Sequence, residues 1–141
     1  MTEVVNQQRQ ISLNTSDFSL FADRVVREIR ETRNRMPTIA FVNDAEMQRL
    51  NLEFRKKDST TDVLSFRYLE EEFETSESLG DIVISAEQAA RQADEHGLEL
   101  ELEIKQLILH GVLHLCGYDH ETDEGGMDAR EIQLRELLKI A

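Results

Sequence analysis

Apolar residues recur along this chain in two rhythms, and turn-forming residues mark where one gives way to the other. In "FSLFADRVVREIRETRN" (18–34), Phe18, Phe21, Val25 and Ile29 fall three and four residues apart. That spacing predicts an amphipathic helix, with Thr15, Ser16 and Asp17 before it as candidate caps. Pro37 stops any helical continuation, and "TIAFV" (38–42) reads as a buried strand. "NDAEMQRLNLEFR" (43–55) returns to the helical period, with Asn43 or Asp44 as cap and Met47, Leu50 and Phe54 facing inward. The turn-rich "KKDSTTD" leads into "VLSFRY" (63–68), a strand that pairs as a hairpin with "LGDIVIS" (79–85). Between them lies the acidic loop "LEEEFETSES".

The rest is helical. Ser85 caps "AEQAARQADEHG", which Gly97 closes. A helix from about Glu99 to Cys116 is apolar on nearly all sides, as a helix in the middle of a domain must be, and it ends at Gly117. The final helix, about Gly126 to Ile140, is expected to pack through Ile132, Leu134, Leu137 and Leu138. "EVVNQQRQISL" opens the chain with a weakly marked strand. The expectation is a single α+β (mixed α/β) domain over residues 1–141, with roughly four strands and about five helices.

Composition narrows the class. One cysteine, Cys116, excludes an internal disulfide and fits a reducing compartment. The first residues carry no basic n-region or apolar h-region, and no run nears the ~20 apolar residues of a membrane span, so a cytoplasmic protein is expected. The net charge of −13 argues against a broad basic face for nucleic acid. That charge is uneven: residues 1–57 hold ten Lys/Arg against eight Asp/Glu, and residues 58–141 hold six against twenty-one.

The chemistry concentrates in "HGVLHLCGYDH" (110–120), which holds three of the four histidines. His110 and His114 are one helical turn apart, so both imidazoles leave the same face and can share one ion. Gly117 allows the chain to leave the helix with positive φ, and "YDH" brings His120 back toward the pair. Three nitrogens with one side open point to a single Zn2+. Cys116, two residues past His114, faces elsewhere and reads as core filler, and His96 has no assigned role. The spacing matches that of zinc proteases, but Gly111 stands where their glutamate base would be. A neutral three-histidine site keeps the full zinc charge and can bring a bound water to a pKa of about 7. With space and no negative charge at Gly111, such a site suits an anionic phosphodiester better than a peptide.

Three motifs in order, "LNLEFRKKDSTTDVLSF" (50–66), "LGDIVIS" and "HGVLHLCGYDH", make this chain resemble the YbeY family of metal-dependent endoribonucleases. The resemblance spans about residues 36–120. It implies a fold similar to metalloprotease catalytic domains, with His110, His114 and His120 binding zinc, His110 and Arg55 in the catalytic centre, and Arg55 gripping phosphate. Lys56 and Lys57 could help to position RNA. Asp119 is a candidate for an otherwise unnamed general base and equally for a turn residue. Arg67 departs from the family, which often has proline there. The implied function is cleavage of single-stranded ribosomal RNA, in maturation of the small-subunit 3′ end and in ribosome quality control. The implied partners are the small subunit and its proteins or GTPases. A non-catalytic assembly factor with a structural zinc is the alternative, and a metalloprotease is the weakest reading.

Overall fold

Four strands form one mixed sheet in the order β1-β2-β4-β3. The computed structural model describes residues 2–67, 78–118 and 126–140, so the acidic loop lies almost entirely outside the described residues. Strand β1 (Glu3–Asn6) runs parallel to β2 (Met36–Val42), and helix α1 (Thr15–Glu28) makes the crossover between them. β2 in turn runs parallel to β4 (Ser78–Ser85), with helix α2 (Asp44–Arg55) and strand β3 (Val63–Phe66) in the connection. β3 pairs antiparallel with β4, which is the expected hairpin. Helices α3 (Ala86–His96), α4 (Leu100–Leu115) and α5 (Gly126–Leu138) complete the chain. The α+β class is as the sequence predicts, with four strands and five helices among the described residues.

Alternation along the strands sorts the core into two. Ile39 and Phe41 sit in register with Ile82 and Ile84, and all four belong to the main core with α1, α3, α4 and α5. Val42, Leu64 and Val83 belong instead to a smaller cluster with Met47 of α2. Successive strand residues point to opposite faces, so α2 covers the sheet face that the other helices leave. Helix α4 lies against the sheet, and Gly111 packs directly on β4. A Cβ there would stand 3.0 Å from both Cδ1 and Cγ2 of the fully buried Ile82. The expectation of open space at position 111 is therefore corrected: β4 fills it.

Local expectations also change in three helices. The cap of α1 is Asn14, whose side chain accepts from the Asp17 N–H at 3.2 Å, because the helix starts earlier than its apolar stripe. The helix closes at Glu28, and residues 30–32 form a separate 3-10 turn. On α2, burial fades from Met47 at 0% through half-buried Leu50 to Phe54 at 58% exposed, as the helix runs beyond the face it covers. The Phe54 ring meets that of Phe66 there in a T-shaped contact, with centroids 5.2 Å apart. On α5, Leu134 and Leu138 are buried as expected, but Ile132 and Leu137 are more than half exposed. The buried face instead reads Met127, Glu131, Leu134, Leu138.

Candidate metal centre and the cleft beside it

His110 and His114 leave α4 on the same side, each half-buried. Their Nε2 atoms are 3.0 Å apart and their rings meet edge to face at 4.6 Å between centroids. Two nitrogens of one tetrahedral zinc site stand about 3.3 Å apart, given Zn–N bonds of about 2.0–2.1 Å. The pair therefore fits a shared ion with little adjustment. His110 presents its other nitrogen, Nδ1, to Oε1 of Glu131 at 2.9 Å. A carboxylate behind a ligating imidazole is the usual support of a zinc site. His120, the expected third ligand, and Asp119 lie outside the described residues. No group of three candidate ligands assembles among the described residues.

The turn that leads toward His120 is held firmly. Gly117 adopts φ +101°, a conformation that side-chain-bearing residues rarely reach. Its N–H donates to the His114 carbonyl at 3.0 Å, and the Tyr118 N–H donates to Leu113 at 3.1 Å. The Tyr118 hydroxyl donates to Glu31 at 2.8 Å, fastening the turn to the stretch after α1. Arg67 stands beside this turn: its Nη1 is 3.8 Å from where a Cβ on Gly117 would be. Cys116 packs against the main core, and burial pushes its thiol up to about 12, so it stays a neutral thiol.

Beside the pair opens a cavity of about 310 Å³, lined by Asp62, His96, Glu103, His110, Glu131 and Arg135 among others. His96 thus lies in the cleft, with Nδ1 2.9 Å from the buried Glu103 carboxylate. Sequence reasoning missed His96, Glu103 and Glu131. For Glu131 a signal existed: it stands in register with Met127, Leu134 and Leu138.

Arg55 is the last residue of α2 and is exposed, with no ion pair among the described residues. Lys56 caps the helix with φ 60°, and Lys57 follows. Asn51, 4% exposed, donates to the Ser59 carbonyl at 2.9 Å and draws this loop back toward β3 and Asp62. Arg55, Lys56 and Lys57 therefore form a short cationic run at the start of a segment that ends at the cleft.

A family profile described as Endoribonuclease YbeY matches residues 3–139. The chain belongs to the YbeY family. A relative named Endoribonuclease YbeY from Koribacter versatilis is 39% identical over 97% of this chain and 86% of its own length. Another of that name, from Carboxydothermus hydrogenoformans, is 39% identical over 93% of this chain and 91% of its own. The solution structure of TM1509 from Thermotoga maritima aligns with a TM-score of 0.67 and 26% identity, covering 98% of this chain and 89% of that one. YbeY membership extends beyond the three motifs into both ends of the chain, because the match includes β1 and all of α5. No described helix is long and apolar enough to cross a membrane.

Proposed function

We propose that this chain is a cytoplasmic, zinc-dependent endoribonuclease that prefers single-stranded RNA. We further propose that it matures the 3′ end of small-subunit ribosomal RNA and takes part in ribosome quality control. The observation that carries the metal part is the facing pair of Nε2 atoms at 3.0 Å with a carboxylate behind one ring. The activity rests on YbeY family membership. The site residues would be His110, His114 and His120, with one Zn2+ per chain. When bound, the ion supplies Lewis-acid chemistry beside a phosphodiester.

The protein's own groups do the rest. The two imidazoles leave one turn of a buried helix on the same side, and His110 lines the cleft. Arg55 offers a planar guanidinium that grips two phosphate oxygens and steadies charge as it develops. The protease's glutamate is absent at Gly111, where a Cβ would already stand 3.0 Å from the Ile82 side chain. Delivery to RNA depends on the small subunit and its protein or GTPase partners.

The test pairs two variants on purified protein analysed for metal. Chelator and His114→Ala should each abolish cleavage of a single-stranded ribosomal RNA fragment, with loss of zinc. Arg55→Ala should keep zinc and a melting temperature near that of the parent, as a solvated side chain does. Its cleavage should fall about 100-fold or more. RNA cleavage equal in all three preparations would identify a contaminant and defeat the reading. A non-catalytic assembly factor with structural zinc is favoured instead if Arg55→Ala supports normal RNA maturation while His114→Ala unfolds.

A further inference from the structure

Helix α5 buries a glutamate where its own repeat asks for an apolar side chain. Met127, Leu134 and Leu138 are at most 2% exposed, and Glu131 falls between them in the same stripe at 8%. Its neighbour Ile132 is 59% exposed. Rotating the helix by one residue, about 100°, would bury Ile132 and return the carboxylate to water. The same turn would carry Met127, Leu134 and Leu138 out of the core, so the apolar stripe sets the helix and takes Glu131 in with it, although a buried carboxylate without partners costs several kcal/mol. That cost is offset by what the carboxylate meets. Oε1 is 2.9 Å from His110 Nδ1, and Oε2 accepts from Arg135 Nη2 at 2.8 Å.

We propose that Glu131 is a positioning residue for His110. By accepting a hydrogen bond from Nδ1–H it fixes the ring's tautomer, its plane and the direction of Nε2. With the Nδ1 proton committed to Glu131, Nε2 carries the lone pair, and it faces His114 Nε2 at 3.0 Å. Arg135, one turn further along α5, holds the second oxygen and keeps the carboxylate turned toward α4. Helix α5 thereby belongs to the metal centre without supplying a ligand to it. This inference rests on the zinc reading of the His110–His114 pair.

Two variants separate positioning from packing. Glu131→Leu satisfies the apolar stripe, and Glu131→Gln keeps the shape and one acceptor while losing the charge. The first readout is nitrogen-15 NMR of the His110 ring in metal-free protein. The parent should show the proton on Nδ1, Glu131→Leu a mixture of tautomers, and Glu131→Gln an intermediate. The second readout is zinc affinity by competition with a chelating dye. It should fall about 10- to 100-fold in Glu131→Leu, the usual cost of removing such a partner, while the metal-free melting temperature stays level or rises. A merely structural role would lower the melting temperature and leave tautomer and affinity alone. An unchanged tautomer with zinc affinity within about twofold of the parent, in whichever variant folds, overturns the proposal. If the parent binds no zinc, the zinc reading fails, and the tautomer of His110 still decides the role of Glu131.

Discussion

Gly111 is held to glycine by a contact, because Ile82 presents Cδ1, Cγ2 and Cγ1 at 3.0–3.2 Å to any Cβ added there. Two of those atoms sit on the branched Cβ of Ile82, which is stiff, so the neighbour has little freedom to yield. Gly111→Ala gains up to about 1 kcal/mol of helix propensity but incurs about 1–3 kcal/mol of overpacking. The expected net is a loss of about 1 kcal/mol in chemical denaturation, largely removed when the same change is made in an Ile82→Ala background. A loss that persists undiminished there would show that the strain lies elsewhere. The sequence alone marks Gly111 as the position where a zinc protease would carry its glutamate. The packing reason was out of reach, because it belongs to a strand 29 positions earlier. His110 and His114 were legible for the opposite reason: their relation is local, one turn of one helix. Arg55 was visible only through the family motif, since an arginine at a helix end looks like any solvated one.

At the scale of elements, the sequence located the helices and strands, but it misread which face of α5 and which end of α2 are buried. Apolar periodicity cannot report a charged residue that occupies a core position because of a partner on another helix. Nor does it show where a helix outruns its sheet. The junction of α2, β4 and α3 illustrates polar wiring of this kind. The Asp44 carboxylate accepts from Ser85 Oγ at 2.7 Å and pairs with Arg91 at 2.7 Å. Glu87 accepts the Asp44 N–H at 2.9 Å. Partial burial raises the pKa of Asp44, but the hydrogen bonds from Ser85 and Arg91 outweigh it and hold the carboxyl below its ordinary value. A lowered folded-state pKa means stability that is present above the unfolded value of about 3.9 and lost as pH falls through the folded value. Asp44→Asn should therefore cost about 1 kcal/mol near neutrality, with the gap from the parent closing below about pH 4 in urea titrations. A gap independent of pH would place the cost in shape rather than charge.

Over the whole molecule, the charge is arranged against indiscriminate RNA binding. The cations that the sequence marks out for RNA are Arg55, Lys56 and Lys57, within a chain of net charge −13. If these three carry the phosphate contacts, the logarithm of affinity for single-stranded RNA should fall with the logarithm of salt at a slope of about −2, at roughly −0.7 per contact. Exchanging Lys56 and Lys57 for glutamine should reduce that slope to about −0.7. Tight binding to long RNA at physiological salt, with a steep slope, would contradict this and remove the need for a delivering partner. The architecture also bears on how the chain assembles. Val4 pairs with Ile39, 35 residues on, and Ile39 with Ile82, 43 residues on, so the parallel sheet closes only after long loops are fixed. Glu131 meets His110 across 21 residues, and His114 meets it across four. Ranked by loop-closure cost, the imidazole pair forms first, the β3–β4 hairpin and the carboxylate support follow, and the parallel strand pairings come last. A folding chain therefore carries two facing nitrogens before it has a core to bury them in.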